Sequence, residues 1–298
     1  MKGIYSALLG AFDAEGRVNE VAVHALVRHN IERCGVDGLY VNGSTGENFL
    51  MTTDMKRKMF KAAAEATQGD VKLIAQIGST VLEEALELSE YAKELEYDAV
   101  SAVTPFYYKF TQSEIRGYYR TIAEHSALPL VIYYIPTLTG VSLSLPELTD
   151  LLQVPNVIGI KFSSNDYFLL EQLRYAAPDK LIYSGFDETL LSTSVLQTDG
   201  AIGSTYNIIG HWAKRVHASA RKNELSQARA FQHHINKVVA DLLSAGLYGT
   251  IKAVCELRGI PVGSCKPPMH TTTQEQRTAA IHIAQYIDEI DAESMFSS

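Results

Sequence analysis

The chain has 298 residues, 46% hydrophobic and 20% charged, a globular composition that excludes disordered and collagen-like classes. A (β/α)₈ barrel takes about 250 residues, so one large domain with a modest extension fits the length. Lysine and arginine number 26 against 34 acidic residues, leaving a net charge of −8 with no basic block, which argues against a nucleic-acid partner. Eight segments then share one pattern, a short apolar run ending in small or polar residues. They cover residues 3–12, 36–47, 71–80, 97–108, 128–136, 157–164, 180–188 and 198–207. Their starts lie roughly 20 to 35 residues apart, the repeat of a strand-plus-helix unit. Runs such as Val157-Ile158-Gly159-Ile160 are almost continuously apolar, as parallel strands buried on both faces require.

Between the runs lie helical patterns, for example Leu82, Ala85, Leu86, Leu88, Tyr91 and Ala92 at three- and four-residue steps. Asp54 and Ser144 stand where helix N-caps are wanted, and Ser144 with Glu147 has capping-box spacing. Eight such units predict an α/β fold, a (β/α)₈ TIM barrel over residues 1–210, with an open doubly wound sheet as the alternative. Beyond Gly210 the strand pattern stops. Helical stretches at 211–221, 225–243, 253–258 and 274–290 make residues 211–298 a C-terminal helical extension, packed on the barrel or on a partner subunit. No run of about 18 apolar residues is present, so no membrane span is expected. The first segment follows Met1-Lys2 directly, without a signal-peptide layout. Cys34, Cys255 and Cys265 make an odd set without CxxC spacing. A cytoplasmic location is therefore expected, with no disulfide framework and no zinc site.

Active sites of such barrels lie at the C-terminal ends of the strands. Lys161 directly follows an apolar strand run there. Aliphatic surroundings disfavour a lysine's charged form, and a free amine can attack a ketone. Equally, a lysine at that place could snorkel outward or pair with a buried carboxylate. Lys109 lies near the same face, but its flank Phe110-Thr111-Gln112 suits a solvated role. Strand five ends in Tyr133-Tyr134-Ile135-Pro136, and alternation lets only one of the two phenols face the mouth, as a proton carrier or as packing.

Gly43-Ser44-Thr45-Gly46-Glu47 offers backbone and hydroxyl donors to a carboxylate or a phosphate. A plain turn with a helix cap over Thr45 to Glu47 uses similar residues. No Walker A lysine and no GxGxxG with an acidic ribose ligand is present, so a nucleotide is disfavoured. The nine histidines show no metal spacing, His233 and His234 being adjacent on a helix and pointing apart. No metal and no cofactor are expected.

Six short motifs follow one another along the barrel. They are Gly43-Ser44-Thr45-Gly46-Glu47, Val103-Thr104-Pro105-Phe106-Tyr107-Tyr108, Tyr133-Tyr134-Ile135-Pro136, Gly159-Ile160-Lys161, Gly185-Phe186-Asp187-Glu188 and Gly203-Ser204-Thr205-Tyr206-Asn207. In this order they resemble the N-acetylneuraminate lyase family, within the dihydrodipicolinate synthase-like group of pyruvate-dependent class I aldolases. The resemblance implies Lys161 as the Schiff-base lysine and Tyr133 as the proton carrier, with Ser44 and Thr45 holding the pyruvate carboxylate. Tyr107 matches an aromatic that completes a proton relay across a subunit contact. Asp187, Glu188 and Ser204, with backbone at Gly185 and Gly203, match contacts to the polyol end of sialic acid. Ser163 stands where sialic acid lyases usually have threonine, and Tyr134 where many members have asparagine.

Dihydrodipicolinate synthases usually carry an arginine at the position of Leu138, to hold the second substrate's carboxylate. A leucine suits a neutral acceptor such as N-acetylmannosamine. Asp187-Glu188 offers acceptors for several sugar hydroxyls, although the pair could also cap the following helix. The resemblance thus implies reversible cleavage of N-acetylneuraminate to N-acetylmannosamine and pyruvate by a homotetramer, with small molecules as its other partners. Another pyruvate aldolase (dihydrodipicolinate synthase or a 2-keto-3-deoxy sugar acid aldolase) and a non-catalytic binding protein are the alternatives.

Overall fold

The computed structural model describes residues 1–296; Ser297 and Ser298 of the expected extension lie outside the described residues. Eight parallel strands form a closed barrel: β1 (Gly3–Ala7), β2 (Gly38–Val41), β3 (Lys72–Gln76), β4 (Ala99–Val103), β5 (Leu130–Tyr134), β6 (Val157–Phe162), β7 (Leu181–Ser184) and β8 (Gly200–Gly203). Each pairs with its neighbour in sequence, and β8 pairs with β1. The helices between them are α1 (Glu20–Glu32), α2 (Thr53–Thr67), α3 (Leu82–Glu94), α4 (Gln112–His125), α5 (Pro136–Thr139), α6 (Leu145–Leu152), α7 (Tyr167–Ala176) and α8 (Leu190–Val195). After β8 come α9 (Tyr206–Arg221), α10 (Leu225–Ala245), α11 (Leu247–Leu257) and α12 (Gln274–Phe296). This is the TIM barrel with a helical extension that the spacing of apolar runs predicts, and not an open sheet.

The strands alternate between two cores. On β5, Leu130, Ile132 and Tyr134 join the outer layer against the helices, while Val131 and Tyr133 line the barrel interior. The interior is filled by large residues set beside small ones. Tyr5 and Tyr183 meet edge to face at 5.6 Å, and their register partners are Gly38 and Gly200. A Cβ at Gly38 would lie 2.1 Å from the Tyr5 ring, so that strand position has room for glycine alone.

Three local expectations change. Helix α2 is capped by Thr52, which is extended and accepts from the Met55 N–H at 3.3 Å; Asp54 lies one residue inside the helix. Ser144 caps α6 with Glu147 as a capping box, as its spacing predicts. The segment 198–207 is strand only over β8, because Asn207 already belongs to α9. Its side-chain amide donates to the Ala7 and Ser204 carbonyls at 2.7 and 2.9 Å, fastening the helix start to the barrel. Helix α11 starts at Leu247, earlier than the sequence pattern suggests. Gly246, at φ 101°, separates it from α10, and the two helices turn by 114°. Among the described residues no single helix is long and apolar enough to cross a membrane.

Candidate active site

Lys161 follows Gly159 and Ile160 on β6 and is in register with Tyr133 on β5 and Tyr183 on β7. Ile160 and Phe162 belong to the outer core, so alternation turns Lys161 inward. It is 4% exposed. Its Nζ lies 4.1 Å from the Tyr133 ring centre and 4.8 Å from that of Tyr40, an attraction open to a cation over a π face. The other two buried lysines, Lys56 and Lys252, are ion-paired to Glu84 and Glu47 at 2.9 and 2.5 Å. Lys161 takes part in none of the ion pairs found among the described residues, and it does not reach out to solvent. It thus neither snorkels outward nor forms a direct ion pair with a described residue, although the buried Asp187 carboxyl feels its charge through space. Lys109 is exposed and lies away from Lys161's cavity.

The paired tyrosines separate as alternation requires. Tyr133 faces inward, with its hydroxyl 3.4 Å from Ser44 Oγ. Tyr134 faces outward, stacks at 5.5 Å on Phe162 and accepts a hydrogen bond from the Leu143 N–H at 3.2 Å. Beside Tyr133, Tyr40 donates its hydroxyl hydrogen to Ser101 at 2.9 Å. Thr45 and Ser204 share a hydrogen bond of 2.7 Å between their hydroxyls, joining the loops after β2 and β8. Glu47 closes its loop in the left-handed region at φ 62°, and its carboxylate turns into the protein. The Thr45 to Glu47 stretch is therefore not a simple helix cap.

Asp187 and Glu188 lie in a 3₁₀ turn, Asp187–Thr189, after β7. Asp187 Oδ2 accepts from the Thr205 N–H at 2.8 Å and from the Thr205 hydroxyl at 2.7 Å, so its partners lie across the mouth and not in the following helix. Burial pushes its carboxyl up to about 6, against the pull of Thr205. The space is tight: a Cβ at Gly203 would lie 1.9 Å from Asp187 Oδ1, and one at Gly185 would lie 1.8 Å from Ser163 Oγ. Ser163 is fully buried, and its hydroxyl has no hydrogen-bond partner among the described residues.

These side chains surround a cavity of about 340 Å³, enough for a small-molecule ligand. Ser44, Thr45, Tyr133, Lys161, Gly185, Asp187, Glu188 and Ser204 all line it, and so does Leu138, at 65% exposed. Ser163 and Gly203 are not among its lining residues but pack against Gly185 and Asp187, which are. Tyr107 is not brought there. It is 84% exposed at φ 79° and lies against Tyr108 at 5.0 Å. Sequence reasoning missed the lid of the cavity, which α10 and α11 supply through Val239, Leu243, Leu247 and Tyr248. The signal was Gly246 beside Leu247-Tyr248, an aromatic at a helix break. Among the described residues no group of three or more His, Cys, Asp or Glu side chains is placed to hold a metal ion.

The dihydrodipicolinate synthetase family matches residues 1–287. The chain is 48% identical over 283 residues to an N-acetylneuraminate lyase of Clostridium perfringens, covering 95% of this chain and 98% of that one. A solved structure of CdNal from Clostridium difficile in complex with mannosamine superposes with a TM-score of 0.94 at 47% identity, over 96% of this chain and 98% of that one. The N-acetylneuraminate lyase of Fusobacterium nucleatum complexed with pyruvate superposes with a TM-score of 0.91 at 45% identity, over 96% of each chain. Fold and relatives agree: the chain belongs to the dihydrodipicolinate synthetase family, within its N-acetylneuraminate lyase group.

Proposed function

We propose that this chain cleaves N-acetylneuraminate reversibly to N-acetylmannosamine and pyruvate through an imine on Lys161. The observation that carries the reading is Lys161 itself, buried and outside every ion pair found, facing a cavity that Asp187 and Glu188 also line. Ser44 and Thr45 hold the pyruvate-end carboxylate. Asp187, Glu188 and Ser204, with backbone at Gly185, receive the sugar hydroxyls, while Ser163 and Gly203 shape the wall behind them.

The Lys161 amine adds to the C2 ketone of the open-chain sugar acid, and loss of water leaves a protonated imine. Tyr133, transiently deprotonated or acting through the substrate carboxylate, takes the proton of the C4 hydroxyl and later returns it. The C3–C4 bond breaks, its electron pair forms the C2–C3 enamine, and C4 departs as the aldehyde of N-acetylmannosamine. The enamine is protonated at C3, and water adds to C2, releasing pyruvate and the lysine amine. The protonated imine is the electron sink of this cycle.

Leu138 at the acceptor side favours an uncharged acceptor over one bearing a carboxylate. Assay of pyruvate release from N-acetylneuraminate, against condensation of pyruvate with aspartate semialdehyde, tests the choice. Cleavage of the first and no condensation with the second is expected; the reverse would make the chain a dihydrodipicolinate synthase. A homotetramer, with Tyr107 completing a neighbour's site, is supported by two exposed aromatics on one loop, Tyr107 and Tyr108. A cytoplasmic location is supported by three buried, free cysteines.

A further inference from the structure

The loop after β2 is bracketed by two non-glycine residues in the left-handed region, Asn42 at φ 61° and Glu47 at φ 62°. Such residues persist where their surroundings hold them. Asn42 donates its amide to the Lys56 carbonyl at 3.0 Å. Glu47 is held more firmly. Its carboxylate pairs with Lys252 of α11 at 2.5 Å, both side chains fully buried, and it accepts the Lys266 N–H at 2.6 Å. Lys252 in turn donates to the Ser264 carbonyl at 3.1 Å. One carboxylate thus joins the loop to α11 and to the chain that follows it.

Glu47 does not line the cavity, whereas Ser44 and Thr45 of the same loop do. The Glu47 N–H donates to the Ser44 carbonyl at 3.0 Å, so a shift of Glu47 is passed to Ser44 through the turn. A buried ion pair is seldom more stabilising than an apolar pair of equal volume, but it fixes a direction and a distance. We infer that Glu47 is a positioning residue, whose ion pair with Lys252 sets Ser44 and Thr45 at the distance a substrate carboxylate needs. The inference rests on the reading of Ser44 and Thr45 as the carboxylate's donors.

The test compares trapping of two ketones on Lys161 by borohydride: pyruvate, which has the carboxylate, and acetone, which lacks it. Glu47→Gln keeps the shape and the acceptor for Lys266 but removes the ion pair. It should raise the pyruvate concentration for half-maximal trapping about tenfold or more, as expected for a misplaced charge-assisted contact. Acetone trapping should stay within about twofold, since nothing in it meets the loop. Should that variant not fold, Glu47→Gln with Lys252→Met leaves no unpaired buried charge, and the same selective loss is expected. Equal losses for both ketones would overturn the inference, as would no loss for either or recovery of pyruvate trapping in the double variant. A wild-type chain that traps acetone no less readily than pyruvate would overturn the carboxylate reading itself, and the inference with it.

Discussion

Replacing Asp187 by asparagine should make the protein more stable and less able to bind its sugar. The carboxyl is pushed up to about 6 by burial, from 3.8 in an exposed chain. Between those values the unfolded chain has lost this proton and the folded one has kept it. Each pH unit across that interval costs the fold about 1.4 kcal/mol. The group thus imposes nothing below pH ~4, an increasing penalty up to pH ~6, and its full ~3 kcal/mol above that. Asparagine removes the titration and keeps an acceptor for the Thr205 N–H and hydroxyl. It gives up the charge assistance of those two bonds, worth ~1 kcal/mol. The net gain at pH 8 is ~2 kcal/mol, or roughly 4–8 °C in melting temperature. At pH 5 the gain should shrink by ~1.4 kcal/mol, because only part of the penalty is then in force. Thermal melts of both chains at the two pH values measure this. A gain that does not change with pH, or a loss at pH 8, would refute the buried-carboxylate reasoning. In the same variant KM for N-acetylneuraminate should rise while pyruvate trapping on Lys161 is unchanged.

Tyr133→Phe keeps the ring over Lys161 but deletes the proton carrier, so turnover should fall by ~10²–10⁴ while pyruvate trapping falls less. Tyr134→Phe loses the bond from the Leu143 N–H; it should cost ~1 kcal/mol of stability, read from a melt, and leave turnover near wild type. The opposite ranking would reverse the facing of β5. Leu138→Arg should weaken cleavage of N-acetylneuraminate and admit an acceptor bearing a carboxylate; no change in either would remove Leu138 from the acceptor site. Mixing inactive Lys161→Arg and Tyr107→Phe chains should restore activity in hybrids if subunits share sites, whereas a fully active monomer in sedimentation would exclude sharing.

The barrel was legible because its strands are buried on both faces and so read as continuous apolar runs, as in Val157-Ile158-Gly159-Ile160. Lys161 stood out for the same reason, as the one lysine at the end of such a run. Which of Tyr133 and Tyr134 faces the mouth was legible only through the family resemblance, since adjacent residues of one type carry no phase; the register with Lys161 turns Tyr133 inward. Glu47 read as part of a turn because its partners, Lys252 and Lys266, lie more than two hundred residues away. The lid residues Leu243, Leu247 and Tyr248 were hidden because a helical pattern reports which face is apolar but not what it covers. Asp54 reads as a cap by residue type alone, whereas the extended backbone at residue 52 makes Thr52 the cap.

Borohydride trapping with pyruvate, followed by mapping of the modified peptide, tests the central claim most directly. One pyruvate-derived mass per chain should appear on Lys161, and Lys161→Arg should abolish it because a guanidinium stays protonated. Modification at Lys109 instead, or none in the wild-type chain, would contradict the imine mechanism.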